Sequence, residues 1–131
     1  MITQADLKLI AKEKLDDAEI VLKNQKFDSA IYLGGYAIEL TLKSRVCKSL
    51  KWPDFPESGG EFKGFASLKT HDFDVLLKFS GQEKKIKKSY FTAWNNIMRW
   101  NPELRYIKGG KFTRTDAEMF ITSTKKIMKA L

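Results

Sequence analysis

Residues 28–51, DSAIYLGGYAIELTLKSRVCKSLK, limit what this chain can fold into more than any other stretch. Between Ala30 and Leu42 the apolar positions Ala30, Ile31, Tyr32, Leu33, Tyr36, Ala37, Ile38, Leu40 and Leu42 go all the way round a helix. A helix that is apolar on every side must be packed on several sides. Gly34 and Gly35 sit in its middle, where each costs roughly 1 kcal/mol relative to alanine. That cost points to the close approach of another backbone. Glu39 and Lys43 stand four residues apart in the favourable order for an ion pair on one helix face. A charged pair on such a helix is either an internal clasp or part of a ligand site.

The remaining 107 positions have to supply what that helix packs against. A chain of 131 residues, 43% of them hydrophobic, has the size of one domain with one core. The lone cysteine, Cys47, rules out an internal disulfide or a thiolate metal cluster. With no histidine nearby to activate it, Cys47 is expected to pack as a small apolar group. No apolar run approaches the ~20 residues of a membrane span, and the first residues lack the apolar region of a signal peptide. No membrane association is therefore expected, and a reducing cytoplasm is the expected compartment.

Helical spacing recurs on both sides of the central run. Thr3 and Asp6 resemble a capping box ahead of Leu7, Ile10, Ala11, Leu15, Ala18 and Leu22, and Asn24-Gln25-Lys26 ends that helix. Asp28 can cap the central helix. Proline and glycine then break all periodicity in a long loop at about 51–68. Thr70 is expected to cap a short third helix that stops at Ser80-Gly81. A fourth runs from about Gln82 to Trp100 with Ile86, Tyr90, Trp94, Ile97 and Met98 on one face, and Pro102 stops it. Gly109-Gly110 marks a turn. Thr115 and Glu118 are expected to box the start of a last helix, whose stripe is Ala117, Phe120, Ile121, Thr124, Ile127, Met128 and Leu131. With no sustained alternation of period two, the fold expected for residues 1–131 is one all-α domain, an up-and-down bundle of about five helices.

Charge divides the chain. Residues 83–131 hold twelve basic and four acidic groups, so the whole net charge of +8 resides there. Such a field favours phosphate-bearing ligands, although many basic surfaces have no nucleic-acid role. Within it Lys84, Lys85, Lys87 and Lys88 form a basic patch around Ile86. Arg99 to Tyr106, RWNPELRY, places two arginines and two aromatics around a broken helix end. Arginine suits bidentate phosphate contacts, which makes Arg99, Arg105 and Tyr106 ligand-binding candidates. On the opposing reading, Trp100 and Tyr106 close the core and both arginines pair with acidic neighbours. Phosphate loops, nucleophile elbows and metal-ligand spacings are absent, so no cofactor and no metal are expected. His71, the single histidine, opens the third helix. It reads either as a neutral imidazole completing the corner that Glu39 and Lys43 clasp, or as a candidate catalytic group.

Taken in order, these elements resemble the HEPN superfamily (higher eukaryotes and prokaryotes nucleotide-binding). They are a first helix ending near Lys26-Phe27-Asp28, then Ala30-Ile31-Tyr32, then Tyr36-Ala37-Ile38-Glu39-Leu40-Thr41-Leu42-Lys43. Thr70-His71-Asp72-Phe73 follows, leading into Leu76-Leu77, and Leu104-Arg105-Tyr106 precedes a lysine-rich final helix. The resemblance implies a helical bundle paired into a homodimer and associated with a nucleotide or RNA. It also implies a minimal nucleotidyltransferase partner, in a toxin–antitoxin-like or defence-related setting. Many HEPN members are ribonucleases with an arginine followed four to six residues later by histidine. Here no histidine follows Arg99, behind which Leu104, Arg105 and Tyr106 stand, and none follows Arg45 at that distance, where Ser49, Leu50 and Lys51 stand.

The expected function is accordingly a non-catalytic HEPN-like domain that binds a nucleotide or RNA or acts with that partner. Two alternatives stay open. One is a divergent ribonuclease that uses His71 across a dimer; the other is a structural module whose basic end docks an acidic protein.

Overall fold

The computed structural model describes residues 2–56, 70–106 and 108–131, with Arg105 and Tyr106 described through their backbone. Among the described residues there are six α-helices: α1 (Gln4–Lys23), α2 (Phe27–Leu50), α3 (Phe73–Phe79), α4 (Glu83–Ser89), α5 (Phe91–Ile97) and α6 (Arg114–Ala130). A 3₁₀ helix spans Pro102–Tyr106. The fold is an all-α helical bundle, as the spacing predicts. A departure from pure helix is a two-residue antiparallel pair, β1 (Ile2–Thr3) with β2 (Asp54–Phe55), in which Ile2 faces Phe55 and Thr3 faces Asp54. Two-residue strands carry no hydrophobic period that a sequence could display. From the long loop expected at 51–68, residues 57–68 lie outside the described residues.

α2 is the axis of the bundle. Twelve of its residues are buried, from Ala30 to Cys47, and α1, α3, α6 and the 3₁₀ helix all pack on it. α1 folds back antiparallel to α2, so that the Ser44 hydroxyl donates to the Gln4 carbonyl at 3.3 Å. α6 runs in the same direction as α2. Asp28 near the start of α2 accepts from the Phe112 and Lys111 amides at 2.9 and 3.3 Å, while Gly34 faces Phe120 and Ile121. α5 lies antiparallel to α6, and near its C-terminal end Asn96 Nδ2 donates to Ser123 Oγ at 3.0 Å.

The paired glycines of α2 answer to side chains rather than to another backbone. A Cβ at Gly35 would lie 2.0 Å from the Trp100 indole, and one at Gly34 would lie 2.8 Å from the Ile121 methyl. The Trp100 ring lies flat on the helix backbone, and its Nε1 donates to the Tyr32 carbonyl at 3.0 Å. Phe73 stacks on the same indole at 5.1 Å and Tyr36 meets it edge-on at 5.3 Å. Offset and edge-on pairs of this kind add to the gain from burial alone.

Several helix boundaries differ from the periodicity, each for a tertiary reason. Asp28 does not cap α2, because its carboxylate is engaged by the 111–112 amides. α3 is capped by Asp72, whose carboxylate accepts from the Asp74 and Val75 amides. Thr70 instead accepts from the Asp72 amide, because the chain before the helix is held extended. The expected fourth helix is two, α4 and α5, broken at Tyr90 (φ −129°, ψ 28°). α4 meets the end of α6 through Lys85, whereas α5 runs along its side, and one straight helix could not do both. The capping box of α6 is Thr113 with Asp116, not Thr115 with Glu118. Asp28 fixes the chain at 111–112, so the helix starts two residues earlier.

Candidate functional site

Two separate places collect the residues that the sequence singles out. The first is on α2. Glu39 projects from its buried face, its side chain only 4% exposed, and both carboxylate oxygens are occupied. Lys43 Nζ donates to Oε2 at 3.1 Å, and His71 Nδ1 meets Oε1 at 2.5 Å. A carboxylate can only accept, so Nδ1 carries the proton and donates, which leaves Nε2 as the second ring nitrogen. Lys43 is also held 5.2 Å from the centroid of the Phe55 ring. The corner thus joins α2, β2 and the entry to α3 through one buried acid. The His71 side chain remains 54% exposed and helps line a cleft of about 390 Å³ with Phe73, Met98, Trp100, Asn101 and Pro102.

The second place lies between α5 and α6. Arg99, two residues past the last buried residue of α5, is exposed and has no ion-pair partner among the described residues. It lines a groove of about 200 Å³ with Lys111, Asp116 and Asn96 on the rim and Ile31, Phe112, Met119 and Phe120 as apolar wall. Asp116 is occupied by the capping box: the Thr113 amide and hydroxyl hold its carboxyl below the usual range, with a smaller contribution from the Arg99 charge. Lys111 Nζ sits over the Phe112 ring at 5.3 Å. The groove therefore offers two cations above an aromatic and thioether floor.

Among the described residues His71 and Arg99 line different clefts, and Trp100 belongs to that of His71. Arg105 and Tyr106 lie on the 3₁₀ helix, and their side chains fall outside the described residues. The basic patch divides. Lys85 donates to the Ala130 carbonyl at 2.7 Å, capping the end of α6, and Lys87 stands 3.6 Å from both Asp74 and Glu83. Lys84 and Lys88 face solvent, while Ile86 is fully buried. Cys47 is fully buried, and that burial, helped by the Asp54 charge, pushes its thiol up to about 11, far from a reactive thiolate.

Sequence reasoning missed Lys111, Phe112 and Met119. Their only signal was the turn at Gly109-Gly110, which delivers Lys111 and Phe112 to the amide acceptor Asp28. Among the described residues no three His, Cys, Asp or Glu side chains converge as metal ligands, and no helix is long and apolar enough to cross a membrane. No family model matches the chain, and neither does any curated protein or solved structure compared with it.

Proposed function

We propose that this chain is a non-catalytic HEPN-like domain that binds a nucleotide or RNA, with phosphate held at Arg99 in the α5–α6 groove. The observation that carries the reading is the groove's composition. A guanidinium without an ion pair among the described residues and an ammonium line the groove together with Phe112, Met119 and Phe120, and both cations belong to residues 83–131, which hold the whole charge excess. A nucleotide needs both parts: donors for phosphate and an apolar surface for the base. Homodimerisation and action beside a nucleotidyltransferase belong to the same reading and rest on the order of motifs.

Titration calorimetry with a nucleoside monophosphate and with inorganic phosphate tests it. Binding is expected to weaken with salt and to fall at least about tenfold in an Arg99→Ala, Lys111→Ala double variant, the scale of losing a charge-assisted contact. Binding that is indifferent to both the substitutions and salt would remove the groove as the site.

One observation favours the ribonuclease alternative. Glu39 fixes the tautomer and plane of a half-exposed imidazole, as a carboxylate does for a general base. On that reading His71 of one protomer acts on RNA held by the other. RNA cleavage by the purified protein, abolished in His71→Ala, would establish it; intact RNA after prolonged incubation would leave binding alone.

A further inference from the structure

The α5–α6 pair has a second concavity at its other end. Lys88, Ser89 and Tyr90 lead into Phe91, Thr92 and Ala93, and Lys126 of α6 closes the opposite side, around a volume of about 510 Å³. Phe91 is 60% exposed there. Its position at the first turn of α5 asks for nothing apolar: Ala93, Trp94 and Ile97 supply that helix's buried face. The ring is flanked by Lys88 and Lys126, both exposed, and neither has an ion-pair partner within 4.0 Å among the described residues. Among the described residues no acidic side chain lines the concavity.

The two concavities belong to one surface. α5 and α6 are antiparallel, so Thr92 lies beside Lys126, Asn96 beside Ser123, and Arg99 beside Met119. From Asp116 to Lys126 the seam runs ten residues along α6, roughly 15 Å at 1.5 Å per residue. Between its ends Thr122 and half-exposed Met119 face solvent. Cations at both ends, an exposed aromatic at one and an apolar floor at the other are the parts of a surface that tracks a sugar–phosphate backbone while bases stack on rings. A duplex buries its base faces in its own stack, so this arrangement is complementary to an unpaired strand.

We propose that the α5–α6 seam is a track for single-stranded RNA, with one base stacked on Phe91, the phosphates flanking that base beside Lys88 and Lys126, and a further nucleotide in the Arg99–Lys111 groove. The proposal rests on the groove reading above and extends it by the stacking platform and the choice of an unpaired strand.

The test is fluorescence anisotropy with labelled oligouridylates of two to eight nucleotides, a duplex RNA of equal length, and uridine monophosphate as competitor. Affinity should rise with length until the seam is spanned, and the duplex should compete poorly. Phe91→Leu should weaken the oligomer by about tenfold with an unchanged salt slope, because a stack and not a charge is lost. Phe91→Trp should bind as well as the parent. Lys126→Ala should lower the salt slope by about one. Circular dichroism of each variant controls for folding, which an exposed ring should not affect. Length-independent binding, equal affinity for duplex, or an unaffected Phe91→Leu would overturn the track, whereas a groove reading supported by Arg99→Ala, Lys111→Ala would survive. Absence of any binding by monophosphate and oligomer would overturn both. Association with vesicles of anionic phospholipid that needs Phe91, without RNA binding that needs it, would assign the platform to a membrane surface and end the proposal.

Discussion

Two regions of this protein treat charge in opposite ways. At the α2 corner each charge has a fixed partner: Glu39 is buried between Lys43 and His71, Lys43 also lies over Phe55, and the Trp100 indole seals the neighbouring surface against Gly35. Along the α5–α6 seam Arg99, Lys88 and Lys126 face water without an ion pair among the described residues, beside Phe91 and Met119. The corner has the features of a clasp that holds three elements together. The seam has the features of a surface whose partners come from outside, since unpaired cations and exposed apolar groups contribute nothing to the fold's own stability. Charged residues picked out by type alone thus fall into two classes that only their surroundings separate.

Substitutions can break that contrast, and the largest effect is expected at the corner. Gly35→Ala must displace the Trp100 ring and is expected to cost about 3–5 kcal/mol, the range for losing a large buried side chain. Urea denaturation checks it. A change within about 0.5 kcal/mol would mean that the indole is not seated on the helix. Gly34→Ala should cost less, because its Cβ comes closest to the flexible end of the Ile121 side chain, at 2.8 Å, and reaches the Phe120 ring only at 3.1 Å.

Glu39→Gln comes next. It removes the buried negative charge and one of the two acceptor oxygens that Lys43 and His71 use, while both of these keep some access to water. A loss of about 2–3 kcal/mol is expected. Phosphate binding at the groove should stay unchanged, and if binding fell with stability the two regions would not be independent.

Cys47 gives the closed region a pH signature. Its folded thiol titrates at about 11, above the ordinary 9.0, so the folded state holds the proton that the unfolded state releases. The contribution is complete below pH 9.0 and is lost as pH rises through about 11, up to about 2–3 kcal/mol at 1.36 kcal/mol per unit. Stability measured from pH 8 to 11 should therefore fall more steeply in the parent than in Cys47→Ala. Parallel curves would mean that the thiol is not shielded.

The smallest effect on stability is expected at the seam. Arg99→Ala should change unfolding by no more than about 0.5 kcal/mol, as for an exposed residue without partners, while phosphate affinity falls. A loss of more than about 1 kcal/mol would move Arg99 to the clasped class.

Much of this architecture is legible in the residues, for identifiable reasons. The amphipathic spacing of α1 and α6 and the all-round apolar run of α2 are local patterns, and local patterns determine where a helix forms. The start of α1 was equally local, with Thr3 accepting from the Asp6 amide at 3.0 Å. The caps of α3 and α6 were not. In each case two plausible caps lay two residues apart, and a distant residue chose between them: Glu39 by holding His71, and Asp28 by holding the 111–112 turn. The break at Tyr90 left no proline or glycine to read, because it is set by the two ways in which α4 and α5 meet α6.

The candidate site divides along the same line. Glu39 with Lys43 could be read as a pair, since four residues along one helix is a fixed distance. That His71 completes it required a contact across 32 positions. The excess of cations in residues 83–131 was visible as a count. The loss of Lys85 to the end of α6 and of Lys87 to Asp74 and Glu83 was not, nor was the recruitment of Lys111 and Phe112 beside Arg99. What the chain determined by itself is what depends on near neighbours: helix, turn, and the sign of the local field. Which cations are used up internally and which remain for a ligand was decided by tertiary packing alone, because pairing is a property of distance in space and not of separation along the chain.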